Sequence, residues 1–163
     1  MPQPIIVPQG HDPLHATDTG DLRQLVYYST SLLAPLDAGG RDEINNILQS
    51  AQTHNKSKGV TGALTYNEFH FAQVLEGSPF AVEEIFARIK ADPRHAHVRV
   101  VEEKRIVRRD FPGWIMAYVG DWNSTEIISS NFQLGDIVGD ANKNAVVLIE
   151  MMKFFLKSSD PKG

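Results

Sequence analysis

Hydrophobic and polar positions alternate in blocks along this chain, and the blocks change period. Leu25-Val26-Tyr27-Tyr28 is a β-rich run closed by the Ser/Thr cluster at 29–31. Residues 41–55 carry Ile44, Ile47, Leu48 and Ala51 at the i, i+3, i+4, i+7 spacing of one helical face. Asn55 to Gly59 is a polar break. Val60–Tyr66 and Phe69–Glu76 alternate with period two, and Asn67-Glu68 between them reads as a tight hairpin. Residues 79–91 return to the helical period with Val82, Ile85, Phe86 and Ile89, and Asp92-Pro93 stops that helix. Val98–Val107 and Trp114–Val119 are read as two more strands.

The predicted order is β-α-β-β-α-β-β, an α+β, ferredoxin-like sheet with one added strand and both helices on one face. In that fold the first and third strands lie side by side at the centre. Side chains alternate across a strand, so Leu25, Tyr27 and Ser29 share one face, as do Phe69, Phe71, Gln73 and Leu75. If these are the helix-side faces, Tyr27 and Gln73 are buried neighbours among aliphatic groups. Two polar side chains there are costly unless they bond each other or something held between them.

The ends read differently. Residues 1–21, with Pro, Gly and no period, are expected to be a flexible arm, and residues 22–120 the folded unit. Residues 121–163 are expected to form a C-terminal helical cap: a short helix at Ser124–Asn131 and a stronger one at Asn142–Lys157. The latter is expected to cover the sheet face that the first two helices leave bare. Val146, Val147, Ile149, Met151, Phe154 and Phe155 give it more apolar surface than one sheet face needs, so the surplus is expected to form a homodimer contact.

Composition narrows the chemistry. The chain has 163 residues and no Cys, which excludes a disulfide framework, a thiolate nucleophile and a Cys-ligated metal. Its formal net charge of −4 argues against a nucleic-acid partner, despite Lys104-Arg105 and Arg108-Arg109. The start MPQPIIVPQG is no signal peptide, and the apolar stretch Ala145–Leu156 is interrupted by Glu150 and Lys153, too short for the ~20 residues of a membrane span. A cytoplasmic protein is expected. His95-Ala96-His97 places two His on one strand face, but with no third ligand in view no metal site is assigned.

The segments LVYYS (25–29), THNKSKGVTGAL (53–64), FAQVLEG (71–77), ARIKADPRH (87–95) and RRDFPGWIM (108–116) together resemble the BLUF family, blue-light sensors that use FAD. The resemblance runs from about residue 22 to 120. It implies that Tyr27 is the photoactive tyrosine, that Gln73 bridges its hydroxyl and the flavin edge, and that Asn55 hydrogen-bonds the ring, with His54 just before it. It implies flavin contacts from Arg88 and His95, with Asp92 placed to pair with Arg88 one turn on. Trp114 and Met116 match the pair proposed to relay the signal from the glutamine. Ser29 joins the cofactor-binding set on the face of Tyr27, and aliphatic walls are expected from Ile44, Leu48, Ile85 and Ile89.

The residue types suit the task independently. A flat apolar ring with a polar edge needs aliphatic walls and a few placed amides, and a Gln amide has both a donor and an acceptor end. Each residue also has a plainer reading. Tyr27 is a good strand residue, Asn often ends a helix, Arg88 and Asp92 fit a surface i,i+4 pair, and Trp114 and Met116 fit a core. Gln73 between Ala72 and Val74 has no such structural purpose. The chain departs from the family at Tyr28, which by alternation faces away from the flavin, at Ala72, and at Arg109-Asp110.

The function read from the sequence is a blue-light photoreceptor with non-covalent FAD and no enzymatic activity, signalling to a partner protein or through an oligomer. Two rivals are a flavin-free ferredoxin-like interaction module and an acylphosphatase-like enzyme. The retained Tyr27, Gln73 and Asn55 disfavour the first. The second lacks a Gly-rich loop, since Ser29–Pro35 contains no Gly.

Overall fold

A computed structural model describes residues 20–34, 38–66, 70–119 and 141–159. Its elements run β1 (Leu22–Ser31), α1 (Gly40–Lys58), β2 (Thr61–Tyr66), β3 (His70–Gly77), α2 (Pro79–Ala91), β4 (His95–Ile106), β5 (Ala117–Val119) and α3 (Ala141–Ser159). The expected hairpin tip at Asn67-Glu68, the face of Phe69, the arm up to residue 19 and the short helix at 124–131 lie outside the described residues.

Five strands form one sheet in the order β4-β1-β3-β2-β5, with β1 and β3 paired antiparallel at its centre. The alternation of the sequence separates two cores. On one face, Leu25, Tyr27, Leu64, Phe71, Leu75 and Met116 pack under Ile44, Ile47 and Leu48 of α1 and Val82, Ile85 and Phe86 of α2. On the other, Val26, Tyr28, Ala63, Ala72 and Val74 pack under Ala145, Leu148, Ile149, Met152 and Leu156 of α3. The buried α3 stripe has helical spacing, so the C-terminal helix covers the bare face as expected. Val146 and Phe154 on its outer side are exposed. The side chains of Val147 and Phe155 lie outside the described residues.

Local chemistry explains the element ends. Ser78 caps α2, its Oγ accepting the Ala81 N–H at 3.3 Å, and Pro79 follows at the first helical position. Helix α1 runs beyond the polar break at Asn55 and stops at Gly59, which adopts φ 69° while Val60 N–H returns to the Asn55 carbonyl at 2.9 Å. Gly62 permits a close approach of β2 to β3. A Cβ there would stand 1.9 Å from the Val74 carbonyl oxygen.

Three local expectations change. Residues 114–116 are not strand: Gly113 turns at φ 92° and the ladder of β5 starts at Ala117. Trp114 and Met116 therefore do not share a face. Trp114 packs on the α3 side, and Met116 is buried on the α1–α2 side. On β4, His97 takes a left-handed φ of 53° at a register shift opposite Tyr28–Thr30. That bulge breaks the alternation, so His95 is half-buried while His97 is exposed. Among the described residues no helix is long and apolar enough to cross a membrane.

Candidate functional site: a cavity between two helices and the central strands

A cavity of about 560 Å³ opens between α1, α2 and the centre of the sheet. Tyr27 and Gln73 lie at its floor because the antiparallel register sets them directly opposite each other. Tyr27 Oη donates to Gln73 Oε1 at 2.5 Å, and Gln73 Nε2 donates to the Met116 sulfur at 3.1 Å. Both ends of the amide are thus engaged, one by a strong partner and one by a weak acceptor. Burial, reinforced by the charge of Asp92, pushes the Tyr27 phenol far above its ordinary pKa, so it stays protonated.

The helices supply the walls. Ile47 and Ala51 of α1, Ile85 and Ile89 of α2, and Leu64 of β2 line the cavity. Ile85 and Ile89, two of the walls expected from the sequence, are among these lining residues. Ile44 and Leu48 are instead buried in the core beneath α1. Both belong to the same apolar stripe as Ile47, and the rotation of α1 over the sheet turns Ile47 toward the opening. Asn55 lies in the last turn of α1, not beyond it. Its side chain is 1% exposed, lines the cavity and donates to the Ile115 carbonyl at 3.3 Å. The reading of Asn55 as a helix terminator therefore fails, since Gly59 has that task.

The mouth is polar. His54 Nδ1 lies 2.8 Å from the Ser50 carbonyl, and its Nε2 lies 2.8 Å from Arg88 Nη2. A guanidinium only donates. Nε2 therefore accepts from Arg88. The expected Arg88–Asp92 pair does not form. Asp92 caps α2 in an extended conformation (φ −75°, ψ 123°), beyond the reach of helical i,i+4 geometry. It holds Arg94 in a two-pronged pair, with contacts of 2.6–3.1 Å, and accepts the Arg94 N–H at 2.9 Å. Burial alone would raise Asp92; its bonds to Arg94 outweigh this and hold the carboxyl below its usual value.

Ser29 is fully buried, and its Oγ lies 2.8 Å from His95 Nδ1. It thereby orients the histidine and is not itself on the cavity wall. His95 is on the wall, its ring 4.5 Å from that of Phe71. Burial pushes its pKa down to about 4, with Arg94 acting in the same direction and Asp92 against it. The sequence reading missed Ile47, Ala51, Leu64 and Arg94 as lining residues. Ile47 and Ala51 were visible as members of the helical stripe, whereas Arg94 follows a helix stop and carried no periodic signal.

This donor set suits a flat, apolar heteroaromatic ring with hydrogen-bonding atoms along one edge. Aliphatic side chains stand on two sides, and the amides of Gln73 and Asn55 converge from floor and wall. The family model for sensors of blue light using FAD matches residues 22–117. The chain belongs to the BLUF family. Its cofactor is FAD, and it is a blue-light sensor.

Relatives agree. The chain is 33% identical over 101 residues to the photoactivated adenylate cyclase subunit alpha of Euglena gracilis, covering 61% of this chain and 10% of that protein. It is 38% identical over 56 residues to the blue light- and temperature-regulated antirepressor BluF of Escherichia coli K12, covering 34% of this chain and 14% of that protein. The chain thus spans only a small part of these curated relatives. Among solved structures, the BLUF protein BlrB in its dark state matches with a TM-score of 0.70 and 30% identity over 82% of this chain and 96% of that one. The BlsA ground state, at 24% identity and a TM-score of 0.67, covering 79% of this chain and 86% of that one, shares the fold.

Proposed function

We propose that Tyr27 and Gln73 are the light-responsive pair of this sensor, and that the signal leaves through Met116. The observation that carries this is the continuous bond path Tyr27 Oη–Gln73 Oε1 and Gln73 Nε2–Met116 Sδ at the floor of the cavity. A flavin bound in this cavity would supply, on excitation, an acceptor for one electron and one proton. Tyr27 supports such a step because its phenol is held protonated and in direct hydrogen-bond contact with the amide. Turning the Gln73 amide, or changing its tautomer, exchanges its donor and acceptor ends with no backbone motion. In either case the bond to the thioether sulfur is the weaker one to give up. Asn55, His54, Arg88, Asp92 and His95 hold the flavin from wall and mouth, and Ser29 fixes His95. Trp114, on the opposite core, takes no part in the first exchange.

The output follows from the same reading. We infer a non-enzymatic, cytoplasmic sensor that acts on a partner protein or through self-association, with an N-terminal arm at 1–21, the sensor at 22–120 and a helical cap at 121–163. The similarity to an antirepressor supports an output through a partner. Neither the flavin-free module nor the acylphosphatase-like enzyme is favoured, since the family match and the amide-lined cavity point the same way.

Illumination of the purified flavoprotein tests the reading. A small red shift of the flavin band, reversible in the dark, is expected. Tyr27→Phe and Gln73→Leu are each expected to abolish it while flavin stays bound. A Tyr27→Phe protein that cycles like the parent overturns the assignment.

A further inference from the structure

The two central strands carry a second polar pair on the face away from the cavity. Gln24 stands opposite Glu76 in the β1–β3 register, three positions from Tyr27 opposite Gln73. Gln24 is 1% exposed and Glu76 fully buried, a costly placement unless both are bonded. Glu76 Oε1 accepts the Phe111 N–H at 2.8 Å, and its Oε2 accepts the Asp110 N–H at 2.8 Å and Gln24 Nε2 at 2.7 Å. The other hydrogen of that amide goes to Asp110 Oδ2 at 2.7 Å. Asp110 Oδ1 in turn meets Lys153 Nζ of α3 at 3.3 Å. One buried carboxylate thus anchors β1 and the 110–111 backbone, and through Gln24 and Asp110 it reaches the C-terminal helix.

The segment from Asp110 to Met116 is fastened to β3 at both ends, on opposite faces. Its start is held by Glu76, among the α3-side core where Phe111 packs. Its end is held by Gln73 through Met116, on the cavity side. Along the way the Trp114 carbonyl accepts the Gly62 N–H at 2.8 Å. Any loss of the Gln73–Met116 contact loosens one end of a strap whose other end is bolted to the anchor of α3. The anchor has slack of its own, because Gln24 Oε1 is buried without a hydrogen-bond partner among the described residues. That amide is oriented by the two carboxylates it bridges and is free to turn once either moves.

We propose that Gln24 and Glu76 are positioning residues for light signalling, transmitting the state of Gln73 through Asp110 and Lys153 to the docking of α3. The inference rests on the assignment of Gln73 as the light-responsive amide. The test uses the full flavin-bound chain, reading hydrogen exchange of residues 141–159 in darkness and under blue light beside the flavin absorption. In the parent, light is expected to speed exchange in α3. Lys153→Met is expected to keep the flavin shift, to exchange roughly two- to fivefold faster in darkness, and to lose most of the further increase on illumination. Lys153→Arg is expected to restore that increase. Gln24→Met, which removes the amide bridge on the α3 side, is expected to behave as Lys153→Met does.

A parent whose flavin band shifts while α3 exchange stays unchanged overturns the inference alone. So does a Lys153→Met or Gln24→Met chain that keeps the full light-dependent increase, for then the contacts are tethers and nothing more. A parent with no flavin shift overturns the Gln73 assignment, and this inference with it.

Discussion

The Tyr27–Gln73 pair and the Gln24–Glu76 pair occupy the same two strands, in the same register, on opposite faces. Each sets a Gln amide against an acidic or phenolic group. On the α1–α2 side the amide borders a cavity and its weaker bond goes to a thioether. On the α3 side the carboxylate is closed in by two backbone N–H groups and an amide. Burial raises the Glu76 pKa, while its bonds to Asp110, Phe111 and Gln24 work in the opposite direction. Rearrangement therefore depends on what surrounds a polar pair more than on the groups it contains. Beside open space and a soft acceptor an amide can turn, whereas a carboxylate under a helix with fixed main-chain donors holds.

The sharpest way to break this comparison is to remove the fixed side. Glu76→Ala orphans two main-chain donors and one of the two N–H groups of the Gln24 amide, the other staying on Asp110. A stability loss of about 4 kcal/mol is expected in urea unfolding of the apoprotein. A loss under 1 kcal/mol would mean that water or a rotated Gln24 replaces the carboxylate with ease.

The next effect belongs to the cavity side and depends on pH. His95 has a folded-state pKa near 4 against an ordinary value near 6.5. The unfolded chain thus binds more protons between these limits, and stability rises with pH across them. It is complete above about pH 6.5 and is lost as pH falls toward 4. From pH 7 to pH 5 the apoprotein is expected to lose about 2 kcal/mol through this residue. His95→Gln should flatten that part of the profile, measured as the urea midpoint against pH.

Smaller still is the stability effect of Tyr27→Phe. It deletes one donor to an amide that keeps a second contact, and about 1 kcal/mol is expected. Here stability and function part company, because the same change is expected to silence the light response. At the bottom of the scale, Arg23→Ala removes the Arg23–Glu103 pair, whose side chains are 37% and 43% exposed. A change of at most about 0.5 kcal/mol in the urea unfolding of the apoprotein is expected, with the flavin shift untouched.

Much of this was legible in the sequence because alternation and helical spacing are local. The period-two pattern placed Tyr27 and Gln73 on one face and Tyr28 on the other, and the register then made the first two neighbours. What escaped was decided by distant backbone. Trp114 and Met116 diverge because of the turn at Gly113, and His97 leaves its strand face because of a bulge against β1. Which apolar residues of α1 face the cavity depends on the rotation of the helix, which three Ile and Leu side chains on one stripe do not specify. Glu76 closes the alternating run that begins at Phe69. It keeps phase with Ala72 and Val74 on an apolar face, and that conflict was a readable sign of a buried partner. The partners themselves, two main-chain N–H groups more than thirty residues on, leave no trace in composition.

The bulge on β4 matters for how these molecules behave in a crowd. β4 is an outer strand of twelve residues, long enough to recruit another chain edge to edge and begin a cross-β stack. The left-handed His97 interrupts its hydrogen-bonding row, and Glu102, Glu103, Lys104 and Arg105 charge the part beyond. With that edge blunted, a concentrated solution is expected to resist fibrous self-assembly along this strand. Straightening the bulge and neutralising the charged run would be expected to turn a clear solution into a thioflavin-positive one.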